Sequence, residues 1–536
     1  MSTMHTPDDA FVHLALLRHA GERPQAPFLL GASGVSYGEA AQWIGRLLAS
    51  GLLPGRGEAA AIWMDKGNGY ALAVLAALFA GNRYLPLDGA QPVERAGTIV
   101  ADAGARVLIA DSAHAAQWLS GAATTPLDCL IVIDDAPFPQ PPRLSCPVRK
   151  LGARLYELPA AGAGALANGD PPGSADDVAA LLYTSGSTGQ PKGVQLSHRN
   201  LASFVGWSTR TLDLRDSDRL LNLASFNFDL STFDLFASLR AGASLYVTDE
   251  AESRQVARIA DILVQQHISV MYSVPSMLAL LDRAGAWECL GAAAPRCIVF
   301  AGEVMPKPQL RAMARALPEG CRLYNFYGPT ETNVCLFHRV TAADLRSDDP
   351  LPIGRPVSAA EVWLQDDCGK PLTAAGAIGE IWVRGACVTP GYWRRDDDPN
   401  TPNHRAGMHA TGDYGELVDG SFVYRGRKDR MLKLNGYRVE LGEIEAALAR
   451  HPAVHEVAVL AHAGEEGAAP GLHAWYVTRP GEEAVPVLEL KRFCADLLPR
   501  YMIPNRMIRI DALPRTPNGK ADYRRLQQQL RQGEAK

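Results

Sequence analysis

Nothing in the 536 residues pairs cysteines: nine are scattered along the chain and none stands in a CxxC spacing. An odd, unpaired set argues against both a disulfide framework and a zinc ribbon, and fits free thiols in a reducing cytoplasm. Long hydrophobic runs are also missing. The longest, Ala71 to Gly81, is too short to span a bilayer. The first twenty residues carry Asp8 and Asp9 and no basic stretch, so they do not read as a secretory leader. These features predict a cytoplasmic protein without a membrane partner. Charge of one sign is scarce as well. A net charge of −5 gives no electrostatic reason to expect nucleic acid. Repeats and low-complexity tracts are not evident.

What is present is core material. Hydrophobic residues make up 47% and charged residues 21% of a chain long enough for more than one domain. Helix-like and strand-like stretches alternate through the first 420 residues or so. Leu72 to Phe79 reads as a buried helix ending at Gly81, and Tyr84 to Asp88 as a short strand running into a turn. Val107 to Asp111 and Leu130 to Asp134 read as parallel strands ending in aspartate. Ala160 to Asp177 is rich in Ala, Gly, Pro and Asp and reads as a surface connection. After Arg427 the texture changes. Val439 to Leu448 is expected to form an amphipathic helix with acidic residues in its first turn. Val454 to Leu460 and Leu472 to Val477 read as strands, and Leu488 to Leu498 as a second helix. The fold class expected is α/β: a large N-terminal domain of several subdomains, 1–427, and a small, mobile α+β C-terminal domain, 428–536.

The strongest local signal is Tyr183-Thr-Ser-Gly-Ser-Thr-Gly-Gln-Pro-Lys-Gly193, which follows the apolar strand Val178 to Leu182. Gly186 and Gly189 let backbone N–H groups close around phosphate oxygens. Thr184, Ser185, Ser187 and Thr188 add hydroxyl donors, and Lys192 adds positive charge. The spacing is not GxxxxGK[ST], so this is not a Walker A loop, and by composition alone a flexible Ser/Gly loop remains an equal reading.

The segment resembles the phosphate-binding loop of the adenylate-forming superfamily, which includes acyl-CoA synthetases, luciferases and the adenylation domains of nonribosomal peptide synthetases. Further motifs of that superfamily follow in order: Leu85-Pro-Leu-Asp88, Phe228-Asp-Leu-Ser-Thr-Phe-Asp234, Ala301-Gly-Glu303, Asn325-Phe-Tyr-Gly-Pro-Thr-Glu331, Gly379-Glu-Ile-Trp-Val-Arg-Gly385, Thr411-Gly-Asp413, Gly426-Arg-Lys-Asp429, Asn435-Gly-Tyr-Arg-Val-Glu-Leu441 and Pro517-Asn-Gly-Lys520. One match would be weak; the whole ordered set is not chance.

The resemblance implies ATP and Mg²⁺ as cofactors and a reaction in two halves at one site. Tyr327 would offer its ring to the purine, with Gly328 permitting close backbone approach. Gly302, Glu303, Asn325, Phe326 and Tyr424 would complete the nucleotide site. Asp413 would accept the ribose hydroxyls, with Arg427 reaching the ribose from the domain junction. Glu331 would be the Mg²⁺ ligand and Thr330 a donor to the α-phosphate or acyl oxygen. Lys520 would stabilise charge as a carboxylate attacks phosphorus. Asp429 would be the hinge about which the small domain turns. That rotation takes Lys520 out and brings in the Asn435–Gly436 face, with Gly436 leaving room for a phosphopantetheine arm.

Asp229 matches the aspartate that pairs with the substrate amine in amino-acid-activating relatives. The remaining pocket positions carry over to Leu230, Phe233, Tyr272, Val299, Ala301, Phe326, Val334 and Cys335. With Asp229 and Lys520 they resemble the pattern of stand-alone prolyl adenylation enzymes, departing at Phe233, Val299 and Phe326. A single carboxylate in a hydrocarbon lining suits L-proline. The Phe-Asp-Leu-Ser segment also resembles D-alanine activators, and an acid–CoA ligase would share every ATP motif. Only sixteen residues follow Lys520, with no carrier segment among them. The acceptor is therefore expected to be a separate phosphopantetheinylated carrier protein, in natural-product (antibiotic) biosynthesis.

Overall fold

The computed structural model describes residues 10–121, 125–137, 146–155, 158, 173–186, 190–428, 430–434, 436–462, 471–479, 485–515 and 521–532. Two large sheets share one core. The first runs Val148–Leu151, Cys129–Ile133, Val107–Ala110, Ala59–Trp63, Arg83–Pro86, Val178–Thr184, Lys192–Ser197. It is parallel until the last pair, where the strand leading into the Ser/Gly segment folds back antiparallel on Lys192–Ser197. The second has the parallel strands Ser244–Val247, Arg219–Asn222, Val270–Ser273, Cys297–Ala301 and Arg322–Tyr327 at its centre and short antiparallel strands at both edges.

Period-two alternation assigns side chains to layers. Ala60 and Ile62 face the core shared between the sheets, while Ala59, Ala61 and Trp63 face a second cluster on the other side. The helices Asn68–Phe79 and Leu230–Ala241 lie in the shared core and are apolar nearly all round for that reason. The predicted helix at 72–79 and the strands at 84, 107 and 130 are therefore observed. Of the expected connection at 160–177, residues 160–172 lie outside the described residues.

A five-stranded antiparallel sheet, Pro371–Leu372, Ala360–Gln365, Ile378–Gly385, Met408–Val418, Ser421–Arg427, completes the large unit. Beyond it come a hairpin, Met431–Leu434 with Tyr437–Glu440, and a compact α+β unit. That unit has the strands Val454–His462, Gly471–Thr478 and Arg506–Arg509 and the helices Leu441–Leu448 and Val487–Leu497. One expectation needs correction. The helix begins at Leu441, not Val439, because Val439 and Glu440 pair across the hairpin with Leu432 and Met431. Among the described residues no helix is long and apolar enough to cross a membrane.

Candidate active site

The carboxyl ends of parallel strands from both sheets converge, as ligand crevices do in open α/β sheets. Thr184 ends one strand, Ala301 and Tyr327 end two others, and Asp229 caps the helix Leu230–Ala241. A narrow cavity of about 70 Å³ is lined by Asp229, Leu230, Tyr272, Ala301, Thr330 and Val334, and by Thr184 and Ser185. A wider cavity of about 570 Å³ adjoins it, lined by Gly302, Glu303, Asn325, Phe326, Tyr327, Gly328, Asp413, Tyr424 and Arg427. Gly302, Gly328, Asp413 and Arg427 border both.

At the narrow end the carboxyl group of Asp229 meets apolar walls. Burial pushes the Asp229 carboxyl above its ordinary range, opposed by nearby Lys433 and a hydrogen bond from Thr330. Around it stand apolar walls. Phe233 meets Tyr272 edge-on at 5.3 Å, and Tyr272 meets Phe326 edge-on at 5.8 Å. Phe233, Val299 and Cys335 line neither cavity. They are buried behind the lining, so their effect on the pocket passes through Tyr272, Ala301 and Val334.

The wide end carries the polar set. Asp413 accepts hydrogen bonds from Tyr327 Oη and from Arg427 Nη1, each at 2.6 Å. Each carboxylate oxygen keeps a second acceptor direction for a further donor. Asn325 donates to the Pro352 carbonyl at 2.9 Å. Gly328 is demanded by the fold itself: a Cβ there would lie 2.1 Å from the Asn333 carbonyl oxygen, so the close approach is to protein backbone.

Several residues expected to bind phosphate or metal are engaged by protein groups. Ser185 Oγ donates to the Arg438 carbonyl at 2.7 Å and accepts from the Glu440 N–H at 3.1 Å. Lys192 pairs with Asp398 at 2.8 Å and lies over the Tyr392 ring. Glu331 is 1% exposed, and Arg438 Nη1 reaches both its oxygens, at 2.8 and 3.1 Å, while Tyr392 donates to one of them. Burial alone would raise the Glu331 carboxyl. Arg438, His409 and the Tyr392 hydrogen bond outweigh it and hold the group far below the usual carboxylate range. In this arrangement the guanidinium of Arg438 itself supplies the positive charge that this buried carboxylate requires.

Gly436 sits between the units. Its N–H donates to Glu303 Oε1 at 2.7 Å, while Glu303 Oε2 accepts from Ser276 N–H. Its φ is +81°, and a Cβ would come within 2.5 Å of Val274 Cγ1. Arg438, Tyr392 and Lys433 belong to this site without having been singled out. Arg438 and Lys433 sit on the hairpin that sequence periodicity merged into a helix or left unassigned. Ser187, Thr188, Gly189, Asp429 and Lys520 lie outside the described residues.

Comparison with known proteins agrees with this geometry. Residues 16–393 match the family described as AMP-binding enzyme, and residues 443–520 match its C-terminal domain. A protein of Streptomyces coelicolor named L-proline--[L-prolyl-carrier protein] ligase is 47% identical over 515 residues, 93% of each chain. A protein of the same name from Pseudomonas fluorescens is 36% identical over 493 residues, 91% of this chain and 92% of that one. The Vibrio cholerae adenylation domain AlmE, solved with glycyl-adenosine-5'-phosphate, superposes with a TM-score of 0.81 at 22% identity over 99% of both chains. The amide bond synthetase McbA of Marinactinospora thermotolerans gives 0.81 at 20% identity, over 97% of this chain and 99% of its own. A strand-end crevice with a narrow acidic pocket at one end, together with a family match across most of the chain, makes this protein a member of the AMP-binding enzyme family, an AMP-forming ligase.

Proposed function

We propose that the protein activates L-proline as prolyl-AMP and transfers the prolyl group to the phosphopantetheine thiol of a separate carrier protein. The observation that carries this reading is Asp229, a largely buried carboxylate in an otherwise apolar pocket beside the nucleotide cavity. The two relatives named as prolyl-carrier-protein ligases support the choice of amino acid and of acceptor. The site belongs with a reducing, cytoplasmic setting, as its free cysteines suggest.

In the first half-reaction a carboxylate oxygen of proline attacks the α-phosphorus of ATP. The bond from that phosphorus to the bridging oxygen breaks, and pyrophosphate leaves. Asp229 holds the secondary ammonium, which orients the carboxylate toward phosphorus. Thr330, which here hydrogen-bonds Asp229, would turn its one hydroxyl donor to the developing oxyanion when substrate pairs with that carboxylate. Asp413 and Arg427 hold the ribose end and the Tyr327 ring meets the purine. Glu331 would hold Mg²⁺, which when bound neutralises phosphate charge. Lys520 is assigned the charge-stabilising role and the Ser/Gly segment the phosphate cradle.

In the second half-reaction the thiol sulfur attacks the acyl carbon, the bond to the AMP oxygen breaks, and AMP departs; the thiol proton passes to solvent. The arrangement described here suits this step. The hairpin bearing Gly436 closes on the site, and Arg438 sits where the cation would otherwise bind. We place the boundary between the two moving units at 427/428, with Asp429 as the hinge.

The test is product balance. With ATP, Mg²⁺, L-proline and pantetheine as acceptor, AMP, pyrophosphate and prolyl-pantetheine should form in equal amounts. Formation of ADP, or of AMP without thioester, would overturn the reading.

A further inference from the structure

Away from the reacting groups, a buried charge pair crosses the seam between the two units. Arg95 lies in the first turn of the helix Val93–Ala103 of the large unit, and Glu443 in the first turn of Leu441–Leu448 of the small one. Their side chains form an ion pair and are 9% and 2% exposed. The second Glu443 oxygen, Oε2, is buried and has no hydrogen-bond partner. A cleft of about 210 Å³ between the units opens beside the pair, bordered by Gln190, Ala447, Arg450 and Leu498.

The pair is tied to the wall of the reaction cavity. Arg95 and Tyr501 both line that cavity. Tyr501, from the small unit, stacks on Tyr437 with ring centroids 3.9 Å apart. Tyr437 stands edge-on to Phe228 at 4.6 Å, and Phe228 directly precedes Asp229. A shift of the small unit at Arg95–Glu443 would therefore carry the aromatic wall and Gly436 with it.

A buried ion pair is weak support for overall stability, because desolvation offsets its attraction. Its strength lies in register: a misplaced partner leaves an uncompensated buried charge. Here the two charges belong to units that move apart, so the pair favours only the arrangement in which it is closed. Other polar contacts across the seam, Arg438 with Glu331, Gly436 with Glu303 and Ser185 with the hairpin backbone, use groups assigned to the metal, nucleotide or phosphate, and the pair of Lys428 with Glu380 has an exposed lysine. Arg95–Glu443 uses none of these.

We propose that Arg95 and Glu443 form an interdomain latch that positions the small unit for thiol transfer and takes no part in forming the adenylate. They are positioning residues, and the inference rests on the two-step reading above. The experiment compares two rates in each variant of the full chain: pyrophosphate exchange with L-proline, and transfer from preformed prolyl adenylate to pantetheine. Glu443→Gln and Glu443→Arg should slow transfer by about tenfold or more while exchange stays within about twofold. Intact exchange also shows that the variant is folded. Adding Arg95→Glu to Glu443→Arg should restore most of the transfer rate, which ties the loss to this pair, while the split between transfer and exchange separates positioning from a merely structural role. Unchanged transfer, exchange falling in step with transfer, or no recovery in the reversed pair would overturn the latch. If the unmutated enzyme exchanges poorly with L-proline, the proline reading fails by itself, and the latch is tested with the amino acid that exchanges fastest.

Discussion

Asp229 combines two opposing demands at the residue scale. It must be ionised to hold an ammonium, yet burial raises its pKa. The helix N-terminus that follows it and the Thr330 hydrogen bond favour the charged form. Replacing it with Ala would leave the substrate cation buried and unpaired, a loss of about 3–5 kcal/mol. kcat/KM for proline should fall by roughly a hundred- to several-thousand-fold. The pH dependence has a definite sign. Only the carboxylate form binds the ammonium, so proline affinity should drop as pH falls through a value above the ordinary aspartate range. An affinity profile flat from neutrality down to that range would count against Asp229 as the anchor. Gly436 makes the complementary case. Gly436→Val must overcome both a positive φ and a Cβ 2.5 Å from Val274 Cγ1. Single-turnover transfer should suffer well beyond pyrophosphate exchange, and equal losses would remove Gly436 from the thiol path. Both residues were legible in the sequence because each sits in a motif whose chemistry requires its type. The burial of Phe233, Val299 and Cys335 behind the lining was not, since an apolar residue looks the same in either layer.

Among the elements, the helix Leu230–Ala241 shows how position separates two aspartates of one motif. Asp229 at its start faces the cavity, while Asp234, one turn on, is 1% exposed. Burial pushes the Asp234 carboxyl up to about 8, against a hydrogen bond from Asn222 and the charge of Lys66. Burial likewise pulls Lys66 down to about 7. A carboxyl whose folded-state pKa is raised favours folding below that pKa, and its contribution is lost as pH rises toward about 8. Asp234→Asn, a neutral near-isostere that needs no proton to fold, should therefore be the more stable of the two near pH 7, with the difference closing as pH falls to the ordinary aspartate range. Its denaturation curves should also lose that pH-dependent decline. A drop of several kcal/mol would mean that Asp234 is charged in the fold. The hairpin Met431–Leu434 with Tyr437–Glu440 is the element the sequence hid. Val439-Glu440 continues the helical spacing of the residues after it, and only pairing with Met431 and Leu432 makes it a strand. Arg438, just before that pair, reaches Glu331, a long-range contact that the motif Asn435–Leu441 did not announce.

For the whole molecule, individual strands followed from apolar runs ending in aspartate or a turn, and the two-unit organisation from the change of texture after Arg427; the order of strands in the sheets was not legible. Nor was the arrangement of the units. It depends on charges and backbone groups that meet across the seam: Arg438 with Glu331, Ser185 with the hairpin backbone, Arg95 with Glu443. Each partner lies more than a hundred residues from the other, beyond any local pattern. The substrate, by contrast, rests on a few side chains at the narrow end of one crevice. One methylene in an apolar pocket is worth only about 1–3 kcal/mol, so alanine, valine or pipecolate should retain some activity, whereas acids without an amine should not. Pyrophosphate exchange across a panel of L- and D-amino acids and amine-free acids tests this directly. The account predicts that L-proline exchanges fastest and that amine-free acids stay at background; faster exchange with D-alanine than with L-proline would contradict it.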